Sequence, residues 1–125
     1  MKFHIESVVG FPNAHFDDEV PPRSWLLSSF LSDMRGQEDL YLDFLARGEA
    51  GERITNLYNN WVHVYPFPDV VVIEDIYDDS LFNNEDCEGP RRCTFLTHAE
   101  ARQLIQEWVE AQEHFFAEQR RLAAN

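Results

Sequence analysis

Basic residues are what this chain has least of. Ten Lys and Arg stand against 23 Asp and Glu in 125 residues, a formal net charge of −13. A charge of that sign and size repels nucleic-acid phosphates and anionic membrane surfaces, and it draws in basic partners quickly. From Asp69 to Glu88 Lys and Arg are absent, while eight acids fall there: Asp69, Glu74, Asp75, Asp78, Asp79, Glu85, Asp86 and Glu88. Long apolar runs are absent too. None approaches the ~18 residues of a membrane-spanning helix, and the opening Met1-Lys2-Phe3-His4-Ile5-Glu6 lacks the apolar stretch of a secretory signal. A cytoplasmic protein is the expectation. Cysteine is scarce, with only Cys87 and Cys93. In a reducing cytosol these read as two free thiols beside a turn, and a disulfide across the intervening loop is the disfavoured alternative. Their C-x5-C spacing is not that of a zinc knuckle, and His98 alone would not complete four ligands.

Catalytic signatures are missing as well. The chain contains no G-x-S-x-G, P-loop or GxGxxG pattern, and no HExxH or H-x-x-x-H spacing among His4, His15, His63, His98 and His114. These histidines read as structural or solvated. Glu74-Asp75 and Asp78-Asp79 offer oxygens to a divalent ion, but they do not match an EF-hand loop. Neighbours on a strand also point to opposite faces, which keeps Glu74 and Asp75 apart. The expectation is a protein without metal or cofactor and without a catalytic centre.

What the chain does have is apolar material: 44% of residues are hydrophobic and 14% aromatic. An acidic chain poor in such residues would stay unfolded. This one can bury a core, and its length suits a single domain over residues 1–125. Residues 2–9 alternate, with Phe3, Ile5 and Val9 on one side, and read as a strand. A turn-rich stretch follows to Pro22, which suits the first turn of a helix carrying Leu26, Leu27, Phe30, Leu31 and Met34. Gly36 fits its C-terminal end. A short helix is expected from about Glu38 to Arg47, ended by Gly48, although Leu40-Leu42-Phe44 also fits a strand. Then comes a meander: strands over 53–58 and 61–65 separated by Asn59-Asn60, a strong strand over 70–77, a polar loop from Asp78 to Arg92, and an edge strand at Cys93–Leu96.

Thr97-His98-Ala99-Glu100 is a capping box. It opens a long final helix with Ala101, Leu104, Ile105, Trp108, Val109, Gln112, Phe115 and Phe116 along one stripe. The pattern predicts an α+β fold: an antiparallel or mixed sheet of four to five strands, with one long C-terminal helix and one or two shorter helices packed on it.

Two acidic patches stand out. One is the hairpin and loop carrying Glu74, Asp75, Tyr77, Asp78, Asp79, Phe82, Glu85 and Asp86, where Tyr77 and Phe82 bring aromatic groups into a field of charge, as a tight polar interface requires. The other is the helix stripe Glu107, Glu110 and Glu113. The first is favoured as partner-binding, because it is denser and lacks any compensating base. The second also reads as an ordinary solvated helix face.

The run Asn59-Asn60-Trp61-Val62-His63-Val64, the strand Val70–Tyr77 and the closing Leu104-Ile105-Gln106-Glu107-Trp108 together resemble the small cytosolic immunity proteins of bacterial toxin systems, including contact-dependent growth inhibition. The resemblance covers about 65 residues of the second half. It is one of structure and charge pattern, and these families are too diverse to transfer roles residue by residue. It implies a non-enzymatic inhibitor of a basic toxin domain, often a nuclease. Two other readings stay open. A nucleic-acid mimic that blocks a DNA- or RNA-binding enzyme would space carboxylates like phosphates along one face. A small metal-dependent hydrolase would converge His and carboxylates in a pocket.

Overall fold

A computed structural model describes residues 2–17, 23–55, 57–76 and 93–124. The first strand is as expected: β1 (Phe3–Val8). The chain then returns at once through β2 (Phe11–Phe16), where the sequence suggested only turns. The two pair antiparallel, with Phe3 opposite Phe16 and Val8 opposite Phe11. Pro12 and Asn13 hide this strand from pattern reading. Proline is tolerated because both strands of a two-stranded sheet are edges. Val9 and Gly10, at φ 53° and 80°, form the connecting turn. Both angles are positive, as in the tight turns whose twist matches a hairpin. Val9 therefore does not join Phe3 and Ile5 on the inner face, as its spacing suggested.

Helix α1 (Trp25–Asp33) buries Leu26, Leu27, Phe30 and Leu31, and Met34 at its C-terminal cap is buried too. Pro22 lies outside the described residues. Gly36 follows in the left-handed region at φ 86°, and its N–H donates to the Glu38 carboxylate at 3.0 Å. Helix α2 (Glu38–Glu49) excludes the strand alternative for Leu40–Phe44, and it runs through Gly48 instead of ending there. Gly48 is buried because α2 presses on the next sheet: a Cβ at this position would lie 2.2 Å from the Pro66 carbonyl oxygen. The glycine marks a close approach, and Gly51, at φ 97°, takes the left-handed conformation after the helix.

Among the described residues the expected strand over 53–58 contributes one bridge, Tyr58 to His63, although Ile54 and Leu57 are buried. Asn59-Asn60 does turn the chain. The Asn59 side-chain oxygen accepts from the N–H groups of Trp61 and Val62, each at 2.9 Å, an Asx turn. Strands β3 (Val62–Pro66), β4 (Val71–Asp75) and β5 (Cys93–Leu96) then form an antiparallel sheet with β4 central. Every residue of β4 is buried, which accounts for its near-continuous apolar run.

Helix α3 (His98–Ala123) starts at the predicted capping box: Thr97 Oγ1 accepts from the Glu100 N–H at 3.0 Å, and Glu100 accepts from the Thr97 N–H at 2.9 Å. Its buried stripe runs from His98 through Ala101, Leu104, Ile105 and Trp108 to Gln112. Phe115 and Phe116 are only half-buried.

The fold is α+β, but the strands do not make one sheet of four or five. They divide into a two-stranded and a three-stranded antiparallel sheet. The reason lies in α1, whose Leu26, Leu27, Phe30 and Leu31 are fully buried. The helix packs against β2 and also against β3 and β4, and one core, which includes the fully buried Trp108, joins the two sheets. Among the described residues no helix is long and apolar enough to cross a membrane.

Candidate protein-binding surface

Of the favoured acidic patch, Glu74 and Asp75 lie among the described residues. Glu74 and Asp75 are 0% and 7% exposed. Alternation puts Glu74 on the far face of the sheet with Tyr65 and Val72, and it accepts a hydrogen bond from the Tyr65 hydroxyl at 3.2 Å. Asp75 points to the opposite face, opposite Val62 in the register. The expectation that these two carboxylates meet a partner across an acidic surface is therefore corrected: both are interior side chains of a central strand. Tyr77, Asp78, Asp79, Phe82, Glu85 and Asp86 lie outside the described residues. Cys93 departs from the reduced-thiol expectation, because it is disulfide-bonded and no described cysteine is free. Cys87 lies outside the described residues.

The second acidic patch is open to solvent. Glu107, Glu110 and Glu113 are all exposed on α3. Glu107 accepts from the Gln103 side-chain amide at 3.1 Å. Glu100, Gln103, Leu104 and Glu107 frame a small hollow there of about 160 Å³.

A second surface lies at the β1–β2 hairpin. The tip of the β1–β2 hairpin, α1 and Trp61 enclose an open cleft of about 450 Å³. Its floor is polar, built from Asn13, Ser28, Ser29 and Ser32. Ser32 Oγ accepts from the Ala14 N–H at 2.9 Å and so ties the hairpin to the helix. Its rim is apolar and exposed: Val8 51%, Val9 90%, Phe11 51% and Trp61 56%. The Arg35 guanidinium sits 4.5 Å from the centre of the Phe11 ring, a cation–π contact.

Trp61 is held by its backbone while its side chain stays in water. Its N–H donates to Asn59 and its carbonyl accepts from the Ile76 N–H at 2.9 Å. The preceding Asn60 N–H donates to Asp33 Oδ2 at 2.6 Å. An aromatic side chain on a fixed backbone loses little freedom on binding, which makes it a good anchor. One signal in the sequence points here. Val8-Val9 breaks the alternation of β1 just where a two-residue connection has to fall.

The histidines divide between two roles. His4 and His15 face each other across the hairpin, ring centres 5.0 Å apart. His4 Nε2 lies 3.2 Å from Glu6 and its Nδ1 3.2 Å from Asp17, while His15 stands 3.8 and 3.9 Å from the same two carboxylates. Glu6 and Asp17 raise the pKa of His4 above its ordinary value. The four side chains gather on an exposed face. Among the described residues no group of three or more His, Cys, Asp or Glu is arranged to hold a metal ion.

His98, by contrast, is buried, with Nε2 2.6 Å from the Phe67 carbonyl oxygen. It secures the β3–β4 turn to the start of α3. His63 is half-buried between the rings of Tyr58 and Tyr65, and burial lowers its pKa.

No protein-family model, no curated protein and no solved structure matches this chain.

Proposed function

We propose that this protein is an acidic, non-enzymatic inhibitor that binds and neutralises a basic toxin domain, as an immunity protein does. The observation that carries the reading is the solvent-exposed apolar rim of Val8, Val9, Phe11 and Trp61 on a chain of net charge −13. Large exposed apolar groups gathered at one place mark interaction sites. Aromatic anchors within a charged surround give slow release, and opposite net charges give fast association. A basic nuclease has a cationic groove for phosphates. The exposed Glu107, Glu110 and Glu113 suit such a groove, and they take over the role first expected of Glu74 and Asp75.

Immunity of this kind acts in the cytoplasm, so the reading carries a cytoplasmic location with it. The disulfide at Cys93 runs against that location, since cytoplasmic disulfides are rare. Titrating thiols in protein quenched directly from cells decides the point: two reactive thiols per chain fit the cytoplasm, and none contradicts it.

The function itself is tested by co-expressing this chain with the polypeptide encoded immediately upstream of it. Expected are growth protection and a stable complex of the two purified proteins. Growth arrest that this chain does not relieve, with no complex formed, would contradict the reading.

A further inference from the structure

Val9 occupies a position that folding alone does not explain. Its φ of 53° lies in the left-handed region, where a β-branched residue is a rare occupant. Tight hairpin turns of this kind favour Asn-Gly, because asparagine tolerates a positive φ. Here Val-Gly stands instead. The side chain gains nothing in return from the fold, for it is 90% exposed. Strain and apolar exposure fall on the same residue, and both are relieved by one substitution. Strain retained in this way points to function. Val8 and Phe11, each 51% exposed, flank it as opposed residues of the hairpin, and Trp61 completes the cleft rim.

Building on the inhibitor reading, we infer that the hairpin tip is a wedge whose anchor is Val9, and that it seats in an apolar pocket of a protein partner rimmed by Lys and Arg. Charge selects this occupant. A net charge of −13 opposes approach to an anionic bilayer and opposes a second copy of the same chain, while it favours a cationic protein surface. Asp33 lines the cleft behind the tip. It offers a carboxylate to the pocket's rim while the tip enters its apolar centre. Arg35 stacks on Phe11 and stiffens the rim.

The test uses a photo-reactive residue in place of Val9 in the full-length chain, expressed in its own cells, with the same residue at exposed Arg120 as control. The protein captured from position 9 is identified, purified and titrated against the parent and Val9→Asn. Thermal midpoints are recorded for both forms. Expected is a partner of net positive charge. Val9→Asn should raise the midpoint and weaken affinity by about tenfold or more, the loss typical of a central anchor. The two effects have opposite signs, so misfolding cannot imitate the result.

Affinity within about twofold of the parent overturns the wedge. A salt-sensitive complex indifferent to Val9 would leave the inhibitor reading standing without it. A lower midpoint for Val9→Asn removes the strain argument and counts against the proposal. Capture of this chain alone, or Val9-dependent binding to phosphatidylcholine vesicles with no protein captured, assigns the tip to self-association or to lipid and overturns it equally.

Discussion

Trp108 has no exposed surface, and its ring meets Phe3 edge-on with centroids 6.3 Å apart. Its place on the stripe of α3 is readable from spacing alone, because it falls in step with Ala101, Leu104 and Ile105 on a capped helix. Trp108→Ala should cost on the order of 3–5 kcal/mol in urea unfolding, and a midpoint equal to the parent's would mean that the helix does not close the core. Glu74 shows the opposite case. A carboxylate in a strand reads as solvent-facing because burying charge is costly, and only the structure reveals Tyr65 reaching it from the neighbouring strand. The histidines carry the pH dependence, with opposed signs. Burial depresses the pKa of His63 below 6.5, so the folded state prefers neutral imidazole. Its contribution is present above pH 6.5 and is lost as pH falls through the folded value. Glu74, Tyr58 and Tyr65 are titratable groups beside it among the described residues. Glu6 and Asp17 raise the pKa of His4 above 6.5, so its contribution is present below 6.5 and fades as pH rises through the folded value. Urea midpoints at several pH values should show a smaller acid loss for His63→Gln than for the parent. His4→Gln should remove a small gain at low pH. Parallel profiles for all three proteins would show that neither imidazole is linked to folding.

Helices are the most legible elements of this chain and short strands the least. The capping box and the apolar stripes announce α1 and α3 because each turn of a helix repeats the same signal. β2 is hidden because Pro12 and Asn13 interrupt six residues, leaving Ala14 and Phe16 too few to establish a period. Residues 53–58 mislead the other way: they are rich in strand formers, yet among the described residues their one bridge is at Tyr58. The division into two sheets is not legible at all, since it depends on where α1 inserts. Gly48 was readable as a residue with a purpose but not as the right purpose. It lets α2 approach β3 instead of ending the helix. Gly48→Ala sets two effects against each other. Helix propensity alone favours alanine by about 1 kcal/mol. A Cβ 2.2 Å from the Pro66 carbonyl oxygen meets backbone, which cannot rotate away, and overpacking of this kind costs roughly 1–3 kcal/mol. The packing effect should win, and the variant should melt below the parent. An equal or higher melting point would show that the two elements are not held together so closely.

For the molecule as a whole, the balance of charge and apolar surface decides what it can meet. One core joins both sheets, while the acids of α3 and the aromatic and aliphatic rim of the cleft remain in water. The sequence made the charge and the acidic helix face visible. The cleft was out of reach, because it assembles from a hairpin tip, a helix and a tryptophan far apart in the chain. Attraction to a basic protein is the central claim, and its most direct measurement is the rate of association with the purified partner as ionic strength rises. Charge-steered pairs approach at about 10⁸–10⁹ M⁻¹s⁻¹ in low salt, against about 10⁵–10⁶ M⁻¹s⁻¹ without steering. Stopped-flow rates should therefore fall by about tenfold or more as the screening length shortens from about 30 Å at 0.01 M to about 3 Å at 1 M, while dissociation changes far less. An association rate that stays constant across that range would contradict it.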